Sequence, residues 1–132
     1  MATYNKFNAW AETMVEGANL ATDQFVIALT NSAPVATNSV LADITQISYT
    51  NISSRNVTTT SASQTGGTFT LVLADLVMTA SGSVGPFRYV VLFDDTVAGD
   101  PLVGWWDYGS SITMANTETF TVDFTGAAIT LS

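Results

Sequence analysis

The run Phe87-Arg-Tyr-Val-Val-Leu-Phe93 constrains the fold more than any other stretch of the chain. Strand alternation puts Phe87, Tyr89, Val91 and Phe93 on one face and Arg88, Val90 and Leu92 on the other. Both faces are largely apolar, so the strand must be covered on both sides and lie centrally in its sheet. One side is expected to be a sandwich interior. The other is expected to carry an N-terminal helix.

The remaining pattern supplies strands to surround it. Phe25, Ile27 and Leu29 share one face of the segment 25–29. Phe69, Leu71 and Leu73 alternate with Thr68, Thr70 and Val72, and Phe120, Val122 and Phe124 alternate with Thr119, Thr121 and Asp123. Leu76, Met78 and Ala80 mark a further strand, and 102–108 another, carrying Trp105 and Trp106 on opposite faces. Ile129 and Leu131 end the pattern, after a turn at Gly126. Gly66-Gly67 and the segment 81–86 read as turns, the segment 94–101 as an acidic turn and 109–116 as a loop. Residues 40–47 are ambiguous, with Asn38 or Ser39 placed to cap a short helical turn. Seven or eight short strands joined by turns predict a mainly β fold. The expectation is a single domain over 1–132, an antiparallel β-sandwich or jelly-roll-like arrangement.

One helix is expected ahead of the strands, at about 4–17. Phe7, Trp10, Ala11, Met14 and Val15 follow helical spacing, Thr3 is placed to cap the start, and Gly17 follows the last periodic residue. A helix this short needs a tertiary partner. Its apolar stripe is expected to pack on the chain's own sheet, and docking a partner is the alternative.

Composition narrows the chemistry. The 132 residues include no Cys and no His. That excludes a thiolate nucleophile, a zinc ribbon and a Ser–His–Asp triad. Lys6, Arg55 and Arg88 are the three cations in a chain of net charge −8. Too few cations to neutralise several phosphates argues against nucleic acid, and the same shortage disfavours an anionic membrane surface. The first residues lack a basic stretch followed by an apolar one, which predicts no signal peptide. No apolar run is long enough for a membrane-spanning helix. Thr (21) and Ser (12) make up a quarter of the chain, so the polar faces of the strands are coated with hydroxyls rather than charges. Such faces meet partners at low desolvation cost.

The candidate chemical sites are few. Asp94, Asp95 and Asp100 cluster around one turn, with Asp107 on the next strand. Loop carboxylates suit a hard cation, but the spacing does not match a calcium-binding loop. The cluster reads better as a solvated acidic turn, and no metal or cofactor is assigned. No two acids are fixed at a glycosidase separation. The cluster Trp105-Trp106-Asp107-Tyr108 has three readings: core, a protein-contact anchor, or a stacking platform for sugar. No catalytic residue is assigned. The candidate contact residues are Phe7, Trp10 and Met14 of the helix, Arg55 in the polar segment 51–65, and Trp106 and Tyr108 of the aromatic strand.

Three stretches carry a family resemblance. They are Tyr4-Asn-Lys-Phe-Asn8 with the helix after it; Phe25-Val-Ile-Ala-Leu-Thr-Asn-Ser-Ala-Pro-Val-Ala-Thr37; and Gly85-Pro-Phe-Arg-Tyr-Val-Val-Leu-Phe93, running on to Asp100-Pro-Leu-Val-Gly-Trp-Trp-Asp-Tyr-Gly109 and Glu118-Thr-Phe-Thr-Val-Asp-Phe124. Together they span nearly the whole chain. The sequence resembles a family of small tailed-bacteriophage virion proteins described as phage structural proteins, with no catalytic motif. The resemblance implies a non-enzymatic virion subunit made in the host bacterial cytoplasm, where disulfides do not persist. The expected role is a head decoration or cement protein on the major capsid protein or other virion proteins. It would act as a homo-oligomer, for which a trimer is plausible, and the helix and the segment 51–65 would be its contact surfaces. A tail, baseplate or fibre subunit touching host glycan is the alternative, and a carbohydrate-binding module the third.

Overall fold

The computed structural model describes residues 3–124 and 129–131, so the expected turn at Gly126 lies outside them. The described chain is mainly β, with antiparallel sheets and one α-helix. Strand β1 (Tyr4–Lys6) precedes the helix α1 (Trp10–Glu16), and β2 (Phe25–Thr30) follows it. A 3-10 turn at Leu41–Asp43 leads to β3 (Asn56–Val57), β4 (Thr59–Thr65), β5 (Thr68–Leu73) and β6 (Leu76–Thr79). The long hairpin of β7 (Val84–Asp94) and β8 (Leu102–Met114) comes next, then β9 (Thr119–Val122) and β10 (Ile129–Leu131).

The five-stranded sheet runs β1-β8-β7-β2-β3, with β7 at its centre as its two apolar faces require. A three-stranded sheet, β10-β5-β4, and a two-stranded one, β6-β9, lie across the interior from it. That interior joins Phe25, Ile27 and Leu29 of β2, Phe87, Val90 and Leu92 of β7, and Trp106 of β8 to Leu71, Leu73, Met78, Val122 and Ile129 of the facing strands. The arrangement is sandwich-like. The outer side of the large sheet has its own smaller cluster, where Val26, Ala28, Val91, Phe93 and Leu102 meet Phe7 and Ile44, with Leu41 and Trp105 packed alongside.

Several expectations change on this framework. The first residues do not begin the helix. Tyr4–Lys6 pair with β8 (Tyr4 opposite Trp106, Lys6 opposite Gly104), and the helix starts only at Trp10, with Ala9 rather than Thr3 at its N-cap. Gly17 does end it, but at φ −142° and not in the left-handed region. The helix lies on the interior side, since Trp10 belongs to the interior cluster and meets Phe25 edge-on at 6.2 Å. The outer face is covered instead by Phe7 and the residues around the 3-10 turn. Ala11 and Val15, expected on the buried stripe, are exposed.

Strict alternation also fails inside the long hairpin. Register shifts around Phe87 and between Leu92 and Phe93 break the two-residue period. Phe87 therefore joins Val90 and Leu92 in the interior, while Val91 and Phe93 face outward into the smaller cluster. The expected loops shrink as well. β7 begins at Val84, within the expected turn 81–86, and β8 continues through Gly109 (φ 86°) to Met114. With the short β1 and β3, and β4 within the polar segment 51–65, the described residues hold ten strands rather than seven or eight.

Glycine is a structural requirement at two places. Gly66 and Gly67 have φ 60° and 88° and join Thr65 to its partner Thr68 in a two-residue hairpin turn, which needs positive φ at both positions. Gly104 allows close approach: a Cβ there would strike the Tyr4 ring and lie 2.7 Å from the Asn5 carbonyl oxygen. The bare backbone lets Tyr4 reach across β8 to Trp106, with ring centroids 5.2 Å apart. Gly104→Ala is expected to lift β1 and cost about 1–3 kcal/mol. Denaturant unfolding should show that loss, and amide exchange should accelerate at Tyr4–Lys6 first.

Candidate functional site

The acidic turn between β7 and β8 is built differently from a solvated cluster. Asp94 is the last residue of β7, directly opposite Phe25, and its side chain is fully buried. Its Oδ1 accepts the backbone N–H groups of Thr96 (3.0 Å) and Val97 (3.4 Å), which folds the turn back on itself. Two further bonds tie that turn to the start of β2. The Thr96 hydroxyl accepts from the Gln24 amide at 2.8 Å, and the Asp95 amide donates to the Gln24 carbonyl at 2.9 Å.

Asp94 Oδ2 meets no donor. Its neighbour is the carboxyl of Asp23. Burial, and then the Asp23 carboxyl beside it, push Asp94 up to about 7, against the pull of the two backbone amides. Both causes favour the protonated form of the Asp94 carboxyl. The Asp23 Oδ2 atom in turn accepts the Asn19 amide at 3.0 Å, linking the pair to the segment after the helix.

Asp95 and Asp100 stay at the surface of the same turn. Partial burial and the charge of Asp95 raise Asp100, which sits at φ 50°. Asp107 is not part of this group. It lies partway down β8 and forms a bidentate ion pair with Arg88, at 2.8 and 3.1 Å. The guanidinium lowers the Asp107 carboxyl, and the Gly109 amide adds to that. Among the described residues no three His, Cys, Asp or Glu come together in a way that could hold a metal ion. Among them, too, no helix is long and apolar enough to cross a membrane.

The candidate contact residues separate into two kinds. Phe7 and Trp10 are fully buried and Trp106 is 2 % exposed, so all three are core side chains, Phe7 in the smaller cluster and the other two in the larger. Trp106 packs against Tyr4 and, edge-on at 5.5 Å, against Phe124. Its neighbour Trp105 faces the other way as expected, half-buried and 4.6 Å from Phe7. A sugar platform on Trp106 is therefore not available. Tyr108 is half-buried against Phe120 at 5.0 Å. Met14 is half-buried and lines a shallow groove of about 320 Å³ with Ala18, Leu20, Phe69 and Leu131, among others.

Arg55 turns inward. Its guanidinium lies 3.6 Å from the Tyr49 ring centroid and donates to the Ile27 carbonyl at 2.6 Å. The Tyr49 hydroxyl accepts the Leu29 amide at 2.9 Å. β3 pairs with β2 only at Phe25 and Val26, so these side chains, with the Ile47 amide and the Arg55 carbonyl, complete the free flank of β2. The expectation that a polar segment was available for contacts did not register this stitch. Its one advance signal is a lone Arg in a segment with a nearby Tyr.

Comparison with protein-family models, curated proteins and solved structures finds no match for this chain.

Three outcomes follow from this geometry. Asp94 is raised in the folded state, so it contributes stability below 3.8 that is lost as pH rises through about 7. Asp94→Asn keeps the acceptor for Thr96 and Val97 and removes the titrating group. Thermal melts at about pH 5 and about pH 8 should show the variant less pH-sensitive than the wild type, and more stable than it at the higher pH. Arg55→Ala removes the cation from the Tyr49 face and the donor to Ile27, for an expected loss of about 1–3 kcal/mol in denaturant unfolding. Trp106→Ala empties an interior site, for an expected loss of about 3–5 kcal/mol by the same measurement.

Proposed function

We propose that this chain is a non-enzymatic structural subunit of a tailed-bacteriophage virion, acting as a head decoration or cement protein by packing against the capsid lattice and against copies of itself. The observation that carries the reading is the uncharged outward face of the smaller sheets. Ser61, Ser63 and Thr65 of β4 and Thr68 and Thr70 of β5 alternate with the inward Ala62, Phe69 and Leu71, and exposed Val72 sits among them. On the neighbouring sheet, exposed Val77 is paired with Thr121, and Thr79 with Thr119. Hydroxyl and small apolar groups cost far less to desolvate than charged ones, so such faces suit contact with another subunit better than charged faces would. The resemblance stretches support the same reading. They supply β1, β2, β7, β8 and β9, the framework that presents those faces.

A subunit bound only to the assembled shell would stabilise it by mass action. Cryo-EM of purified virions from the phage that encodes the chain tests the reading. Density over the capsomers is the expected result. Density on the tail would replace it with the tail-subunit reading, and absence from the particle would overturn both.

A further inference from the structure

The longest strand at a sheet edge is β4. Its inner side is paired with β5, and among the described residues no strand pairs with its outer side. The other edge strands, β1, β3, β6, β9 and β10, run two to four residues, against seven for β4. An open edge offers a row of backbone donors and acceptors to any extended chain. Proteins that keep such an edge free usually defend it with Lys, Pro or an inward charge. Thr59-Thr-Ser-Ala-Ser-Gln-Thr65 has none of these, and its one irregularity, between Thr59 and Ser61, leaves a regular ladder from Ser61 to Thr65.

Charge selects the occupant. The chain carries eleven acids against three cations, yet residues 56–74, the whole β4–β5 hairpin, carry no charge. Two copies of an acidic chain repel over most of their surfaces and meet at least cost where both are neutral. A basic partner would instead be drawn to the end bearing Asp95, Asp100 and Glu12.

We infer that β4 joins a second copy of this chain edge to edge, antiparallel about a twofold axis at Ser63. Ser61 then faces Thr65 of the partner subunit and Ser63 faces its own counterpart on the outer side. Ala62 faces Gln64 of the partner subunit on the inner side. Cross-strand Ser–Thr pairs favour this pairing. The two three-stranded sheets become one of six strands. The contact is isologous, so it closes on a dimer and uses up the edge. The inference sharpens the self-association in the proposed function and stands without the virion.

The test uses the purified chain in solution. Sedimentation equilibrium at concentrations up to about 1 mM should show a monomer–dimer equilibrium. Ser63→Lys and Ser63→Glu each place like charges opposite one another and should weaken dimerisation about ten-fold or more, and mixing the two variants should restore it. Because the chain has no Cys, Ser63→Cys gives a single thiol. On mild oxidation it should form a disulfide-linked dimer, which Thr119→Cys, exposed on β9, should not. A wild type that stays monomeric throughout, a trimer or open series, or lysine and glutamate variants that dimerise like the wild type would each overturn the inference. None of these results depends on whether the chain is found in a virion.

Discussion

The fold depends on burying both faces of the central strands β2, β7 and β8. Each of the six residues of β2 is buried, and β7 is covered on both sides from Val90 to Asp94. A sheet like this needs two separate covers. The facing strands supply one and build the larger core. Phe7 and Ile44, with Leu41 at the 3-10 turn, supply the other. The chain crosses from one cover to the other in a single short step, since Phe7 packs on the outer side and Trp10 on the inner. The register shifts in the long hairpin belong to the same solution. They rotate Phe87 inward, where strict alternation would have left it among Val91 and Phe93.

How much of this is legible in the sequence depends on how local its cause is. The central position of 87–93 follows from its composition alone, and the opposed directions of Trp105 and Trp106 follow from strand geometry. The turn at Gly66-Gly67 follows from backbone freedom. The pairing of Tyr4–Lys6 is different, because its cause is the missing side chain at Gly104, far along the chain. The spacing of Phe7, Trp10 and Met14 also mimics a longer helix than the chain forms. The extension of β8 past Gly109 is hidden because that glycine reads as a break when it is a bulge. Phe7, Trp10 and Trp106 looked like contact residues because large aromatics serve both cores and interfaces. Only the tertiary packing separates the two uses.

The buried Asp94 was legible only as part of an acidic turn. A charged group at the end of an apolar strand, directly opposite Phe25, cannot remain hydrated as its neighbours Asp95 and Asp100 do. It accepts two backbone amides of the turn and so holds Asp95 and Thr96 where they bond to Gln24 at the start of β2. Arg55 solves a comparable problem on the other flank of β2, where its guanidinium and the Tyr49 hydroxyl stand in for a neighbouring strand. In both places a polar side chain secures an edge of the central sheet that backbone pairing alone does not reach.

The placement of β1 has a consequence for the order in which the molecule forms. Tyr4 leaves the ribosome about a hundred residues ahead of its partner Trp106 (the Asn5 side chain reaches the Trp105 carbonyl across a separation of 100 residues). During synthesis β1 waits unpaired while β8, the strand it will border, is still being made. A contact of such long range closes slowly. The flank of β8 that β1 covers is therefore sealed only after β8 itself has emerged.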